Sequence, residues 1–122
     1  MFAGFLIQQQ VLEGKRVIKL GNLTPKRDFI HTYDMAAAVE TLLTHVEGGI
    51  HTYNLGRGIE YSVTEIVDAF SKAINEKIEI EVDQTRVRKV ERQHLLADVS
   101  KLKSLGWTPK IGIEDGIKTL VQ

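Results

Sequence analysis

Gly21-Asn22-Leu23-Thr24-Pro25-Lys26-Arg27-Asp28-Phe29-Ile30-His31-Thr32-Tyr33-Asp34 is the stretch from which the rest of the chain is read. Gly21-Asn22 is a turn signal that ends the β-rich run Val17 to Leu20. Pro25 fixes one backbone angle ahead of Arg27. Asp28 to His31 predicts a short strand, and Asp34 predicts a helix N-cap, because its carboxylate suits the free N–H groups and the positive dipole end there. A turn, an arginine and a cap thus fall close together.

On the N-terminal side, Phe2, Leu6, Val11 and Leu12 follow a helical stripe, and Gly14 is placed to close it with a left-handed cap. On the other side, Met35, Val39, Leu42, Leu43 and Val46 mark one face of a helix that Gly48-Gly49 ends. Ile50 to Leu55 reads as a strand leading into the turn Gly56-Arg57-Gly58. Ser62-Val63-Thr64-Glu65 has the form of a capping box, and Val63, Ile66, Val67, Phe70 and Ile74 behind it give the strongest helical stripe of the chain. Ile78, Ile80 and Val82 alternate with charged residues, the period of a half-exposed strand. The basic stretch Asp83 to Gln93 has no period and reads as a loop. Leu95 to Asp98 is a short strand or turn, Ser100 caps a helix with Leu102 and Leu105, and Ile113, Ile117, Leu120 and Val121 form a last helix. The expected architecture is one α/β unit over residues 1–122, with a small mixed sheet of short strands and four to five helices.

Composition narrows the classes. The 122 residues suit one domain with a modest core, and 16 basic residues balance 16 acidic ones, so bulk attraction to nucleic acid or an anionic membrane is not expected. The absence of cysteine excludes disulfides and thiolate chemistry and fits a cytoplasmic protein. No apolar run approaches the ~20 residues of a bilayer span. The hydrophobic start has no basic region before it and breaks into Gln8-Gln9-Gln10, so an amphipathic helix is expected there rather than a signal peptide.

Catalytic patterns are not found. His31, His45, His51 and His94 fall in separate elements, and there is no HExxH, so a metal site is not expected. Ser62 and Ser100 lie outside any GxSxG and are explained by capping. Gly56-Arg57-Gly58 follows an expected strand, but Tyr61 stands where a dinucleotide fingerprint has its third glycine, and a plain turn explains it. A tyrosine with a lysine four residues on would supply proton transfer, but Tyr33, Tyr53 and Tyr61 are followed at that distance by Ala37, Arg57 and Glu65. Anion recognition remains. Arg27, Arg57, Arg86, Arg88 and Arg92 lie in or beside loops, where the planar guanidinium suits two-point contact with phosphate, and Asn54 offers an amide donor at a strand end.

In order, the motifs Gly21 to Phe29, Tyr53 to Gly58, Ser62 to Ile66, Asp98 to Lys101 and Leu105 to Lys110 resemble the C-terminal part of extended short-chain dehydrogenase/reductases acting on nucleotide sugars. Within that group the likeness is to GDP-mannose 4,6-dehydratases and related UDP-N-acetylglucosamine 4,6-dehydratases and epimerases. It runs from about Gly14 onward. The resemblance implies the C-terminal portion of an extended Rossmann-type enzyme, with Arg27 and Asn54 at the substrate's pyrophosphate region. It also implies an arginine and an acidic partner from an R-P-x-E/D segment. Arg88 with Glu91 fits one register, although Lys89 replaces the proline, and Arg86 fits the longer spacing. Ile30-His31 also departs from the threonine-tyrosine frequent in the family.

The family's glycine-rich NAD(P) turn and its tyrosine–lysine pair lie N-terminal to the matched motifs. The implied function is therefore nucleotide-sugar binding, to a GDP- or UDP-sugar, with no catalytic residue and no cofactor in this chain; NAD(P) belongs to the complete family enzyme. A non-catalytic self-association module and one half of a split enzyme are the alternatives. In the family, the Ile50 to Leu55 strand and the first two helices pack on or beside the cofactor-domain sheet. Apolar surface left without that cover predicts a homo-oligomer, or association with a chain carrying the cofactor domain.

Overall fold

The computed structural model describes residues 3–122. Helix α1 (Ala3–Leu12) leads into strand β1 (Val17–Leu20), followed by β2 (Lys26–Asp28), α2 (Thr32–His45), β3 (Glu60–Ser62) and α3 (Val63–Ile74). Strand β4 (Glu79–Val82), a short 3-10 turn at Gln84–Arg86, β5 (His94–Leu95), α4 (Ser100–Lys103) and α5 (Ile113–Leu120) complete the chain. The strands form two small sheets. β1 and β4 pair in parallel, with Ile18 opposite Ile80. β2 is central in the other, antiparallel to β3 and parallel to β5, so that Arg27 faces Tyr61 on one side and Leu95 on the other. The α/β class with five α-helices and short strands agrees with the sequence reading.

Two apolar clusters hold these elements. In the larger, Ile7 and Val11 of α1, Ile18 and Leu20 of β1, Ile66, Val67 and Phe70 of α3, and Ile117 of α5 are buried together. The stripe expected on α3 is the center of that cluster. Both halves of its capping box form: Ser62 Oγ accepts from Glu65 N–H at 3.2 Å, and Glu65 Oε2 accepts from Ser62 N–H at 2.7 Å. The smaller cluster joins Ala38 of α2 to Val99, Leu102 and Trp107.

α1 turns differently from its expected stripe. Ile7 is fully buried whereas Leu12 is 59% exposed, and Phe2 lies outside the described residues. Gly14 has the expected positive φ of 87°. Gln10 has a role that periodicity does not signal. Its carboxamide accepts from Lys19 N–H at 2.9 Å and donates to the Lys19 carbonyl at 3.1 Å, closing the edge of β1 as a further strand would.

Three local expectations are corrected. The strand at Asp28 to His31 forms earlier, at Lys26–Asp28, where it has neighbours on both sides. The cap of α2 is His31, whose Nδ1 accepts from Tyr33 N–H at 3.0 Å. Asp34 lies inside the first turn and is buried. Its two carboxylate oxygens accept from Lys110 N–H at 2.9 Å and Ile111 N–H at 3.0 Å, and its carbonyl accepts from Trp107 Nε1 at 3.1 Å. At α4, Ser100 makes no side-chain cap; Asp98 Oδ1 instead accepts from Ser100 N–H at 3.0 Å.

The strand expected at Ile50 to Leu55 does not form. Among the described residues, no backbone–backbone hydrogen bond involves this segment, and Ile50 is 98% exposed. The α2 face named in the sequence is also largely bare: Val39 is 50% and Leu43 79% exposed, while Ala38 is the α2 residue that packs fully.

The Ser62 hydroxyl cap and the Asp34 carboxylate anchor should differ in weight. Ser62→Ala removes one exposed cap and should cost about 1 kcal/mol. Asp34→Ala leaves two partly buried N–H groups unpaired and frees the Lys110–Ile111 segment from α2, at about 3 kcal/mol. Urea unfolding of the two variants measures both; an Asp34 effect no larger than the Ser62 effect would contradict the anchor.

Candidate functional site: an arginine-lined cleft

One carboxylate fixes the base of the site. Asp28, the last residue of β2, accepts from Arg57 N–H at 2.7 Å, Gly58 N–H at 2.8 Å and Ala97 N–H at 3.3 Å. It thereby joins β2 to the glycine turn and to the segment after β5. Gly56 is required at this junction, since a Cβ there would lie 2.7 Å from both the Asp28 carboxylate and Ala97 Cβ.

Above this knot opens a cleft of about 980 Å³. All five residues singled out as substrate-binding, Arg27, Asn54, Arg86, Arg88 and Glu91, line it. Arg27 projects from the center of β2. Its Nη1 donates to the Lys26 carbonyl at 2.8 Å, and its Nη2 pairs with Glu91 Oε1 at 3.1 Å. The pair is the least exposed ion pair described, at 28% and 20% side-chain exposure. Asn54 Nδ2 reaches the Asp98 carbonyl at 3.4 Å. Arg86 Nε pairs with Asp83 Oδ2 at 3.2 Å, and Asp83 also accepts from the hydroxyl and N–H of Thr85. These Thr85 bonds, with a smaller contribution from Arg86, hold the Asp83 carboxyl below the usual range. Arg88 differs: among the described residues its guanidinium has neither an ion pair nor a hydrogen bond, so it is free to meet a ligand. The structure thus brings both Arg86 and Arg88 to the same cleft.

Arg57 belongs elsewhere. Its Nη1 donates to the Ile111 carbonyl at 2.8 Å, so it braces the chain below the cleft. Sequence reading missed Asn22 and the role of Asp28, both of which act on main-chain atoms distant in sequence. The Gly21-Asn22 turn signal marked the place of the first without its function.

The chemistry available is recognition. Arginine forks, an amide and a carboxylate suit a diphosphate carrying hydroxyl-bearing groups. The glycine turn does not fit the pyrophosphate of a dinucleotide, because the N–H groups of Arg57 and Gly58 are already taken by Asp28 and the start of α3 by its own capping box. Lys101 Nζ sits 4.4 Å from the Tyr53 ring centroid, over its face, and donates to the Thr52 carbonyl at 2.8 Å. That is a cation–π brace rather than a proton-transfer pair.

Residues 5–120 match the family model of GDP-mannose 4,6 dehydratase. The chain belongs to this family. GDP-L-fucose synthase 1 of Arabidopsis thaliana is 33% identical over 110 residues, 90% of this chain and 33% of that protein. UDP-glucose 4-epimerase 3 of Oryza sativa subsp. japonica is 38% identical over 96 residues, covering 75% and 26% respectively. Among solved structures, UDP-glucose 4-epimerase from Bifidobacterium longum in complex with NAD+ and UDP superposes with a TM-score of 0.83 at 27% identity, over 99% of this chain and 38% of that one. The family member described here therefore spans about a third of the length of these relatives, and its architecture is that of part of a Rossmann-type epimerase/dehydratase.

The Asp28 knot has a direct consequence. Asp28→Asn retains one acceptor oxygen and loses the charge-assisted bonds, so the Arg57 and Gly58 amides should exchange with solvent at least about tenfold faster, equivalent to about 1.4 kcal/mol. Amide exchange by NMR reads this, and unchanged protection of both would contradict it.

Proposed function

We propose that this chain supplies the nucleotide-sugar-binding part of an NAD(P)-dependent sugar-nucleotide dehydratase or epimerase and does no chemistry alone. Arg27, with Arg86 and Arg88 opposite, clamps the diphosphate of a GDP- or UDP-sugar. Asn54 donates an amide hydrogen bond beside it, and Glu91 accepts from ligand hydroxyls. The observation that carries this reading is convergence: residues from β2, the segment before the glycine turn and the loop before β5 all line one cleft. The cofactor chemistry would lie in residues outside this chain.

Without ligand, Glu91 is the counter-charge of Arg27. A bound diphosphate replaces it as the partner of Arg27 and leaves the carboxylate available to hydroxyls. Calorimetry with GDP-mannose and UDP-glucose tests this directly. Binding of either, weakened at least about tenfold by Arg27→Ala as expected for a lost charged hydrogen bond, supports the reading. No heat at millimolar ligand, or binding unchanged by Arg27→Ala, would overturn it.

A second reading concerns association. The segment Ile50 to Leu55, which among the described residues pairs with no other main chain, and the bare α2 face of Met35, Val39 and Leu43 favour a homo-oligomer, or docking of a chain carrying the cofactor domain, as in a split enzyme. Sedimentation of the isolated chain separates these outcomes. Self-association that Val39→Glu abolishes supports the homo-oligomer, and a monomer at micromolar concentration counts against it.

A further inference from the structure

The cationic loop between β4 and β5 is tied to the body at both ends. Asp83 N–H donates to the Leu20 carbonyl at 2.7 Å, and Lys26 N–H donates to the Gln93 carbonyl at 2.6 Å. Between these ties the 3-10 turn bonds only within itself, Arg86 N–H to the Asp83 carbonyl and Val87 N–H to the Gln84 carbonyl. Across residues 88–92, among the described residues, the main chain is held at one place. Asn22 Oδ1 accepts from Arg88 N–H at 2.8 Å, and Asn22 Nδ2 donates to the Arg88 carbonyl at 3.2 Å. The carboxamide thus pairs with Arg88 as a neighbouring strand residue would.

The adjacent glycine completes the dock. A Cβ at Gly21 would lie 2.5 Å from the Arg86 carbonyl oxygen and 2.9 Å from its carbon, so only a residue without a side chain lets the loop close on the end of β1. Gly21 admits the loop and Asn22 fastens it. Arg86, Arg88 and Glu91 all belong to this loop and all line the cleft.

We propose that Asn22 is a positioning residue for the anion site, fixing the Arg88 main chain so that Arg86, Arg88 and Glu91 stand opposite Arg27 before ligand arrives. It contacts no ligand in this account. Its effect is preorganisation: a loop already ordered loses less conformational freedom on binding. The inference rests on the reading of the cleft as a diphosphate site.

A merely structural asparagine would lower stability and leave the affinity of the folded protein unchanged. A positioning asparagine changes affinity at a fixed folded fraction and acts through Arg88. The test uses the full chain, with calorimetric titration of GDP and of UDP into wild type, Asn22→Ala, Arg88→Ala and the double variant, and amide exchange at Arg88 without ligand. Asn22→Ser cannot span both Arg88 atoms and replaces the alanine variant if alanine unfolds the protein.

The expected results are an Arg88 amide that is protected in wild type and exchanges freely in either Asn22 variant. Affinity for whichever of the two nucleotides wild type binds should fall roughly tenfold, the scale of ordering one or two long side chains, and the double variant should lose less than the sum of the single effects. Wild-type binding that Asn22→Ala or Asn22→Ser leaves unchanged would overturn this inference alone, as would equal Arg88 exchange in wild type and variant. A wild-type protein that binds neither GDP nor UDP would overturn the cleft reading and this inference with it.

Discussion

The Asp28 carboxylate is the constraint on which the site depends. Two oxygens take N–H groups from two segments that lie far apart in sequence, the Gly56–Gly58 turn and the residue Ala97 after β5. Each N–H would otherwise need water at a crowded junction. The contact also sets where Arg27 stands, because it precedes Asp28 on the same three-residue strand. Such a strand has little intrinsic stability. Its position comes from pairing with β3 and β5 and from this carboxylate.

Asp34 plays the corresponding part in the other cluster. It joins the first turn of α2 to Lys110 and Ile111 while Trp107 donates to its carbonyl. Two aspartates therefore use main-chain N–H groups to fasten loops that apolar packing alone would leave in several registers. The apolar clusters supply the bulk of the cohesion, and the carboxylates specify which loop lies where. The cleft is built between segments located in this way, with its arginines on the loop that Asn22 and Gly21 hold.

Where the signal was local, the sequence was legible. The Ser62–Glu65 box and the α3 stripe appear as expected, because capping and helical periodicity involve residues within two turns. The strand at Ile50 to Leu55 had the right residue types, but a strand needs a partner edge, and none reaches it among the described residues. Asp34 has the residue type of a cap, but cap chemistry and anchor chemistry use the same side chain; the competing His31 acceptor takes the cap, and distant N–H groups take the aspartate. The site was legible by another route. An ordered set of motifs resembling a family points to Arg27, Asn54, Arg86, Arg88 and Glu91, and the structure brings all five to one cleft. Asn22 and Asp28 went unassigned because their partners are backbone atoms between 29 and 69 residues away.

Arginines that clamp an anion respond to it at their own side-chain nitrogens. Side-chain 15N NMR of the arginines during titration with a nucleoside diphosphate tests the clamp most directly. Saturable shifts are expected in the Arg27 Nε–H and in Arg86 or Arg88, with Arg57 and Arg16 unmoved and the unphosphorylated nucleoside without effect. Shifts of equal size at Arg16 and Arg57, or an unmoved Arg27 at saturating ligand, would contradict the clamp.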